Sequence, residues 1–405
     1  YVRPRVPFVK AITSAITIGS GGSGGREGPI AQIGAGFASM LGTWLKVSPE
    51  ERRVLMAAGM AAGVGAIFHA PFAGALFAAE VLYSGPDMEH EVFVPAFVTS
   101  ILAYSVFGGI FGFHPLFETP AYFFSEPALL LPYAVLGVVM AAAGWLFVRT
   151  FYGVRNLMFD RVKLPRHLLP MLGGLVVGVI GFCLPEALAT GYGVVQACFD
   201  SGADAFGADG KVGILDLPSA AGLQGLLPEA FAPALVAALL LLIIALAKMA
   251  TTAFSIGSGG SGGVFGPSVV IGGALGGAVG LVVQFLFPGL GAQPGAFALV
   301  GMAGFFAGAA NTPISTIMMV SEMTGNYALL APLMIVAVAH MSLSGRWSLY
   351  PSQVAAQLDS PAHTGDYIVD VLQSLKVSDV LGESMEATLI EENMTLRQAM
   401  RMVSD

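Results

Sequence analysis

The chain has 405 residues, of which 55% are hydrophobic and 11% charged, with a formal net charge of −8. Met249 to Ser321 contains no Asp, Glu, Lys or Arg, and one bilayer crossing takes about 20 apolar residues, so the composition excludes a soluble enzyme and a nucleic-acid-binding domain. The acidic balance lies mostly in loops and the C-terminal tail and identifies no charged partner.

In chain order, the first residues, YVRPRVPFVK, start abruptly and carry no cleavable leader, so an N-terminally incomplete chain is expected. Residues 13–36, TSAITIGSGGSGGREGPIAQIGAG, return as 251–274, TTAFSIGSGGSGGVFGPSVVIGGA, with fourteen of 24 aligned positions identical. Apolar blocks follow at 54–79, 92–117 and 127–148. Segment 59–81 has its own echo at 301–323, with Pro71 matching Pro313 and Glu80 matching Glu322. Arg149, Arg155, Arg161, Lys163 and Arg166 join the two halves and predict a cytoplasmic connection. After an apolar block at 168–185, loop 199–229 is acidic against a single Lys211 and is expected outside. Cys183 and Cys198 have no metal-ligand spacing and read as packing residues. Further apolar blocks at 230–247 and 323–345 complete a membrane domain over 1–348, with repeat halves near 1–148 and 167–348. The halves could be parallel or inverted; an odd number of crossings in each favours inversion. Segment 349–376 reads as a terminal helix and linker. Residues 377–405 read as the start of a soluble unit, with a strand at 387–390 and a helix beginning near Thr395. The predicted fold is an all-α integral membrane protein, an inverted-repeat bundle with broken helices.

The chemistry concentrates at the glycine runs. Gly19, Gly21 and Gly24 form a GxGxxG, but no acid stands about 20 residues later and the flanks are membrane helices, so a dinucleotide site is rejected. Glycines can turn backbone N–H groups toward one point, and each helix start carries unpaired N–H groups and about half a positive charge. Two such starts, at Pro29 and Pro267, could hold a small anion without a lysine. The plainer alternative is that the glycines only permit close helix packing. Glu27 stands where the second copy has Phe265, between a glycine run and a helix start. Its carboxylate could occupy the anion site and leave when protonated or displaced; the alternatives are a capping acid or an ion pair with Arg26. Tyr350 follows the last apolar block, as an uncharged donor at an inner mouth or as an interfacial anchor. His69, His340, Met318, Met319 and Met323 read as packing or hydrogen-bonding residues, and no metal or other cofactor is expected.

GREGP at 25–29, GGVFGP at 262–267, SEMTGNY at 321–327 and RWSLYPS at 346–352 together resemble the CLC family of chloride channels and chloride/proton antiporters, over roughly 1–360. The tail 377–405 is similar to the opening of a CBS domain. The resemblance implies a homodimer of inverted repeats, with an anion pathway in each subunit and chloride as the transported substrate. Glu27 would be the gate. The N–H groups of Val264 and Phe265 and the Tyr350 hydroxyl would surround the central anion. The backbone of GREGP, from Gly25 through Arg26 to Gly28, would bind where the gate's carboxylate rests. The family's serine-bearing Gly-Ser-Gly-Ile-Pro loop has no counterpart and is expected upstream of Tyr1. Exchangers of the family commonly carry an internal proton-transfer acid at the position of Val81, so Glu27 is the one proton-pathway candidate and Glu80 and Glu322 are expected to be structural. The expected function is channel-like chloride transport; proton-coupled exchange is the alternative and fluoride export a narrower one. A multi-pass protein of the plasma (inner) membrane with a cytoplasmic C-terminus follows, and a complete CBS pair could bind a nucleotide.

Overall fold

The computed structural model describes the whole chain except 202–204, 208–210, 229–230, 346, 364–393, 396 and 398–405. It divides into two units, Tyr1–Ala356 and Gln357–Asp405. In the second, the described residues form a single helical turn, Gln357–Asp359, with His363 N–H donating to the Ser360 carbonyl beyond it. The expected CBS segment 377–405 lies outside the described residues, apart from Met394, Thr395 and Arg397.

Proline and capping residues set where the helices of the first unit begin. Ser48 accepts from the Glu51 amide at 3.2 Å while the Glu51 carboxylate accepts from the Ser48 amide at 2.8 Å, a reciprocal cap. Five helices start on a proline, whose missing N–H costs nothing in a first turn. Fourteen α-helices result among the described residues: α1 Arg5–Gly19, α2 Glu27–Trp44, α3 Pro49–Phe68, α4 Pro71–Glu80, α5 Phe93–Phe111, α6 Leu130–Asn156, α7 Leu169–Cys183, α8 Tyr192–Asp200, α9 Ala220–Leu226, α10 Pro233–Gly257, α11 Phe265–Leu286, α12 Pro294–Ala310, α13 Pro313–Thr324 and α14 Leu330–Leu343. Five helical stretches, containing α5, α6, α7, α10 and α11, are long and apolar enough to cross a bilayer. Their outward faces carry Val94, Ile110, Leu131 and Phe182, all largely exposed, as a lipid-facing surface requires. Two further apolar helices among the described residues, α12 and α14, are shorter.

Helices α1–α5 correspond to α10–α14, and the contacts repeat with the sequence. His69, after α3, and Asn311, after α12, occupy matching positions and both adopt the left-handed conformation, with φ of 56° and 55°. Helix α2 packs on α3 where Gly34 meets the Gly59 carbonyl, and α11 packs on α12 where Gly272 meets that of Gly301. A Cβ at either glycine would collide with that backbone, so close packing is indeed the role of these glycines, which lie outside the GSGGSGG runs.

The two copies meet at those runs. Gly25 and Gly263, the same position in each copy, exchange two N–H···O bonds of 2.7 Å in an antiparallel bridge. The Ser23 amide donates to the Ser255 hydroxyl at 2.8 Å, and its counterpart, the Ser261 amide, donates to that of Thr17 at 3.2 Å. The Ser23–Thr252 hydroxyl pair, 2.9 Å, is mirrored by Ser261–Ser14, 2.8 Å. Every bond has a partner under exchange of the copies, so a local two-fold axis passes between Gly25 and Gly263. Antiparallel pairing of equivalent residues is what a two-fold axis between the copies produces, and an inverted repeat carries such an axis in the membrane plane.

Candidate functional site

The two-fold axis brings two uncapped helix starts together. No side chain caps α2 or α11, so the first-turn N–H groups of both are available to a ligand. Glu27 opens α2, is 3% exposed, and reaches across the axis to the start of α11. A Cβ built on Gly266 would stand 3.0 Å from Glu27 Oε2 and 3.4 Å from Oε1, which places the carboxylate against the Gly266 backbone. Oε2 is buried and has no hydrogen-bond partner among the described residues. Arg26 is exposed and makes no ion pair with it among the described residues. The Arg26–Glu27 pairing that the sequence left open is therefore absent.

A cavity of about 280 Å³ joins the expected residues: Glu27, Gly28, Phe265, Tyr350 and Val81 all line it, with Phe68 and Phe77 among its apolar walls. Phe265 packs edge-on against Phe306 at 4.2 Å and, tilted, against Phe68 at 4.5 Å. Phe306 in turn lies 6.3 Å from the Tyr350 ring, so an aromatic cluster fixes the wall opposite Glu27. Tyr350 Oη makes no hydrogen bond among the described residues and is free to donate into the cavity. Its segment is anchored: the Tyr350 amide donates to the Ser348 hydroxyl at 3.0 Å, and Tyr152 Oη to the Leu349 carbonyl at 2.8 Å. Gln353 ties the same segment to the Val81 and Ala310 carbonyls at 3.1 and 2.8 Å. Val264, at the N-cap of α11, packs against the core around the cavity. Gly25 lies directly behind the Glu27 carboxylate.

Glu80 and Glu322 stand apart from the cavity lining and face one another's helices. Glu80, ending α4, accepts the Ile314 and Ser315 amides at the start of α13, at 3.0 and 2.8 Å, and also the Ser315 hydroxyl. Glu322, in α13, accepts the Phe72 and Ala73 amides at the start of α4, at 3.3 and 2.8 Å. The His69 ring nitrogen Nδ1 lies 2.6 Å from the His114 carbonyl, and that of His340 lies 2.7 Å from the Gly304 carbonyl. Cys198 is buried and Cys183 exposed.

Two site residues were missed from sequence. Tyr192, at the start of α8, donates to Glu27 Oε1 at 2.5 Å. Lys248 of α10 is fully buried and donates to the Ala187, Leu188 and Ala189 carbonyls at 3.3, 3.0 and 2.7 Å. A lone lysine between two charge-free runs was the available signal for Lys248; nothing in the sequence links Tyr192 to Glu27. On the other side of Tyr192, Phe117 packs edge-on at 5.3 Å and lines a vestibule of about 1100 Å³ with Glu118, Gln196, Asp200 and Lys211. Glu27, Tyr192 and Phe117 thus form one line of contacts from the inner cavity to the vestibule.

Apolar spanning helices, inverted repeats and paired broken-helix starts define an integral membrane protein of the transporter and channel type. A sequence model described as the voltage-gated chloride channel family matches residues 1–344, and the chain belongs to that family. It is 32% identical to a ClcB-like chloride channel protein of Ralstonia nicotianae, over 88% of this chain and 76% of the relative. It is 30% identical to the H⁺/Cl⁻ exchange transporter ClcA of Vibrio cholerae, over 85% and 68%. It spans 40% of the length of CLC-f of Arabidopsis thaliana, a chloride channel protein 32% identical to it. Among solved structures, a slow cyanobacterial Cl⁻/H⁺ antiporter superposes with a TM-score of 0.68 at 20% identity, over 92% of this chain and 78% of the other. A CLC-type fluoride/proton antiporter gives 0.67 at 23% identity, over 86% and 76%. These likenesses establish the shared fold.

Proposed function

We propose that this protein carries chloride and similar monovalent anions across a membrane by a passive, channel-like route that Glu27 opens and closes. One observation carries the reading: the Glu27 carboxylate lies at the Gly266 backbone, where two uncapped helix starts converge, and lines the cavity that Tyr350 also faces. A carboxylate there takes the place a halide would take, against the peptide N–H groups of a water-poor site. An arriving anion, or protonation of Glu27, releases it. The anion then takes the amides of Val264, Phe265 and the Gly25–Gly28 turn, with the Tyr350 hydroxyl as the next donor inward. Peptide dipoles hold a halide without the depth of a fixed ion pair, so it can leave.

Proton-coupled chloride exchange is the second reading, favoured by the 30% identity to the Vibrio exchange transporter. Val81 has no group to pass a proton inward, so exchange would need water to reach Glu27 from the cavity side. Fluoride export is a narrower possibility. The rest of the proposal is a transport domain over 1–348, a linker over 349–376, a partial CBS domain over 377–405 with a nucleotide site if a second copy completes it, and a homodimer. It also places the protein in the plasma (inner) membrane with a cytoplasmic C-terminus, with transport and no enzymatic step. The test is a reversal potential in reconstituted bilayers under opposed chloride and pH gradients. A value at the chloride potential supports the channel, a shift toward the proton potential supports exchange, and no anion current removes both.

A further inference from the structure

The strap that delivers Tyr192 is fastened more heavily than packing alone requires. Lys248 gathers three successive carbonyls, Ala187 to Ala189, and the Thr251 hydroxyl adds a bond of 2.9 Å to the first of them. Ala189 is also sewn to the first glycine run: its amide donates to the Gly21 carbonyl at 3.1 Å, and its carbonyl accepts from the Gly24 amide at 3.3 Å. Gly191 then turns the chain with φ of 80°, and a Cβ there would stand 3.0 Å from Lys248 Nζ. Only glycine suits that position. Helix α8 starts immediately afterwards, so Tyr192 is aimed at Glu27 by a strap tied to α10 on one side and to the glycine run on the other. Phe117 closes the remaining face of its ring. The bond to Glu27 Oε1, at 2.5 Å, gives the buried carboxylate a side-chain donor, while Oε2 has none.

We propose that Tyr192 is a latch for Glu27: its hydroxyl, held in place by the Lys248-anchored strap, fastens the carboxylate in the blocking position and sets the ratio of closed to open pathways. The proposal rests on Glu27 being the gate. Tyr192 and Tyr350 then have opposite duties, the first holding the blocker and the second leaving its hydroxyl to the ion. Tyr192 is a positioning residue, since it acts through Glu27. Lys248 acts one step further back, through the strap.

The experiment is initial chloride efflux from liposomes at neutral pH, using the full-length protein and rates per monodisperse protein recovered. Y192F keeps the ring and its contact with Phe117 and removes only the donor. It is expected to raise efflux about tenfold, the scale of one hydrogen bond to an ionised acceptor. In the E27Q background, where no carboxylate is left to hold, the same change is expected to have no effect. That dependence on Glu27 separates a latch from general loosening, which would raise efflux equally in both backgrounds and overturn the proposal. Y192F at the wild-type rate, with E27Q fast, overturns the latch and leaves the gate standing. E27Q at the wild-type rate removes the gate and the latch with it. K248M is the second variant: it is expected to reproduce the Y192F increase and to add nothing to Y192F, and independent additive effects would detach Lys248 from the latch.

Discussion

Replacing Glu80 by alanine tests the reciprocal clasp between α4 and α13. Glu80 is 4% exposed and receives two backbone amides, at 3.0 and 2.8 Å, and one hydroxyl. Alanine leaves the Ile314 and Ser315 amides, first-turn donors of α13 whose bonds to Glu80 are part-buried and buried, without acceptors. Each orphaned buried donor costs about 1–3 kcal/mol, and the Ser315 hydroxyl can turn to a carbonyl of its own helix, so roughly 3–5 kcal/mol is lost. Glu322 is less buried and its bonds are 3.3 and 2.8 Å, the first on an exposed amide. E322A should therefore cost roughly 1–2 kcal/mol, because water takes over one of the two donors. At about 2–4 °C per kcal/mol, E80A lowers the melting temperature by roughly 10 °C and E322A by roughly 4 °C. Thermal unfolding of the detergent-solubilised protein, followed by intrinsic fluorescence, reads both. E80Q should fall between wild type and E80A, since glutamine keeps one acceptor but turns an amide group toward a donor. The two sites tie the same pair of helices, so the double variant should depart from additivity. A smaller loss for E80A than for E322A would refute the reasoning, as would any E80A shift below about 2 °C.

Three further outcomes follow from individual contacts. A Cβ on Gly25 would fall on Glu27 Oε2 and stand 2.8 Å from the Gly266 nitrogen, so G25A should expel the carboxylate and speed chloride efflux several-fold. Y350F removes a neutral donor worth about 1 kcal/mol and should weaken chloride binding about fivefold by calorimetry. In the loop after α8, the Asp216 carboxylate accepts the Gly207 and Gly213 amides at 2.7 and 2.8 Å, and these bonds hold its carboxyl below the usual range. A depressed folded-state value contributes stability above the unfolded value and loses it as pH falls through the folded one. Hydrogen exchange at Gly207 and Gly213 should stay protected at about pH 5 and open only below about pH 4, whereas D216N should lose protection at neutral pH.

The sequence made the architecture legible because evolution left it written twice. The paired GSGGSGG runs and the match of Glu80 with Glu322 locate two equivalent modules without any structural knowledge. Their orientation was not legible, since spacing alone does not distinguish parallel from inverted copies; the mutual bonds of Gly25 and Gly263 add that a local two-fold axis relates them. The acids illustrate the same gap. Alignment pairs Glu80 with Glu322, but that each holds the start of the other's helix follows only from the two-fold axis. Glu27 and Tyr350 were visible as a charge and a donor in apolar surroundings. Tyr192 was not, because its meeting with Glu27 depends on the path of the strap at 187–191, a long-range contact that no local pattern encodes.

The symmetry and its breach divide the work of the site. The contacts between the two copies obey the two-fold axis: the glycine bridge, the serine and threonine bonds, the uncapped starts of α2 and α11, and the clasps of Glu80 and Glu322. Two like helix starts facing each other repel, each with about half a positive charge, and that repulsion is what a negative ligand relieves. A second acid at the position of Phe265 would add a like charge beside Glu27, and two carboxylates sharing such a site cannot both ionise at neutral pH. Phenylalanine there instead joins Phe68, Phe77 and Phe306 and walls the cavity with apolar surface. One copy thus supplies the blocker and the other the wall. Under the proposed function an anion and Glu27 compete for one place, which is the physical condition for a gate that the permeating ion can itself displace.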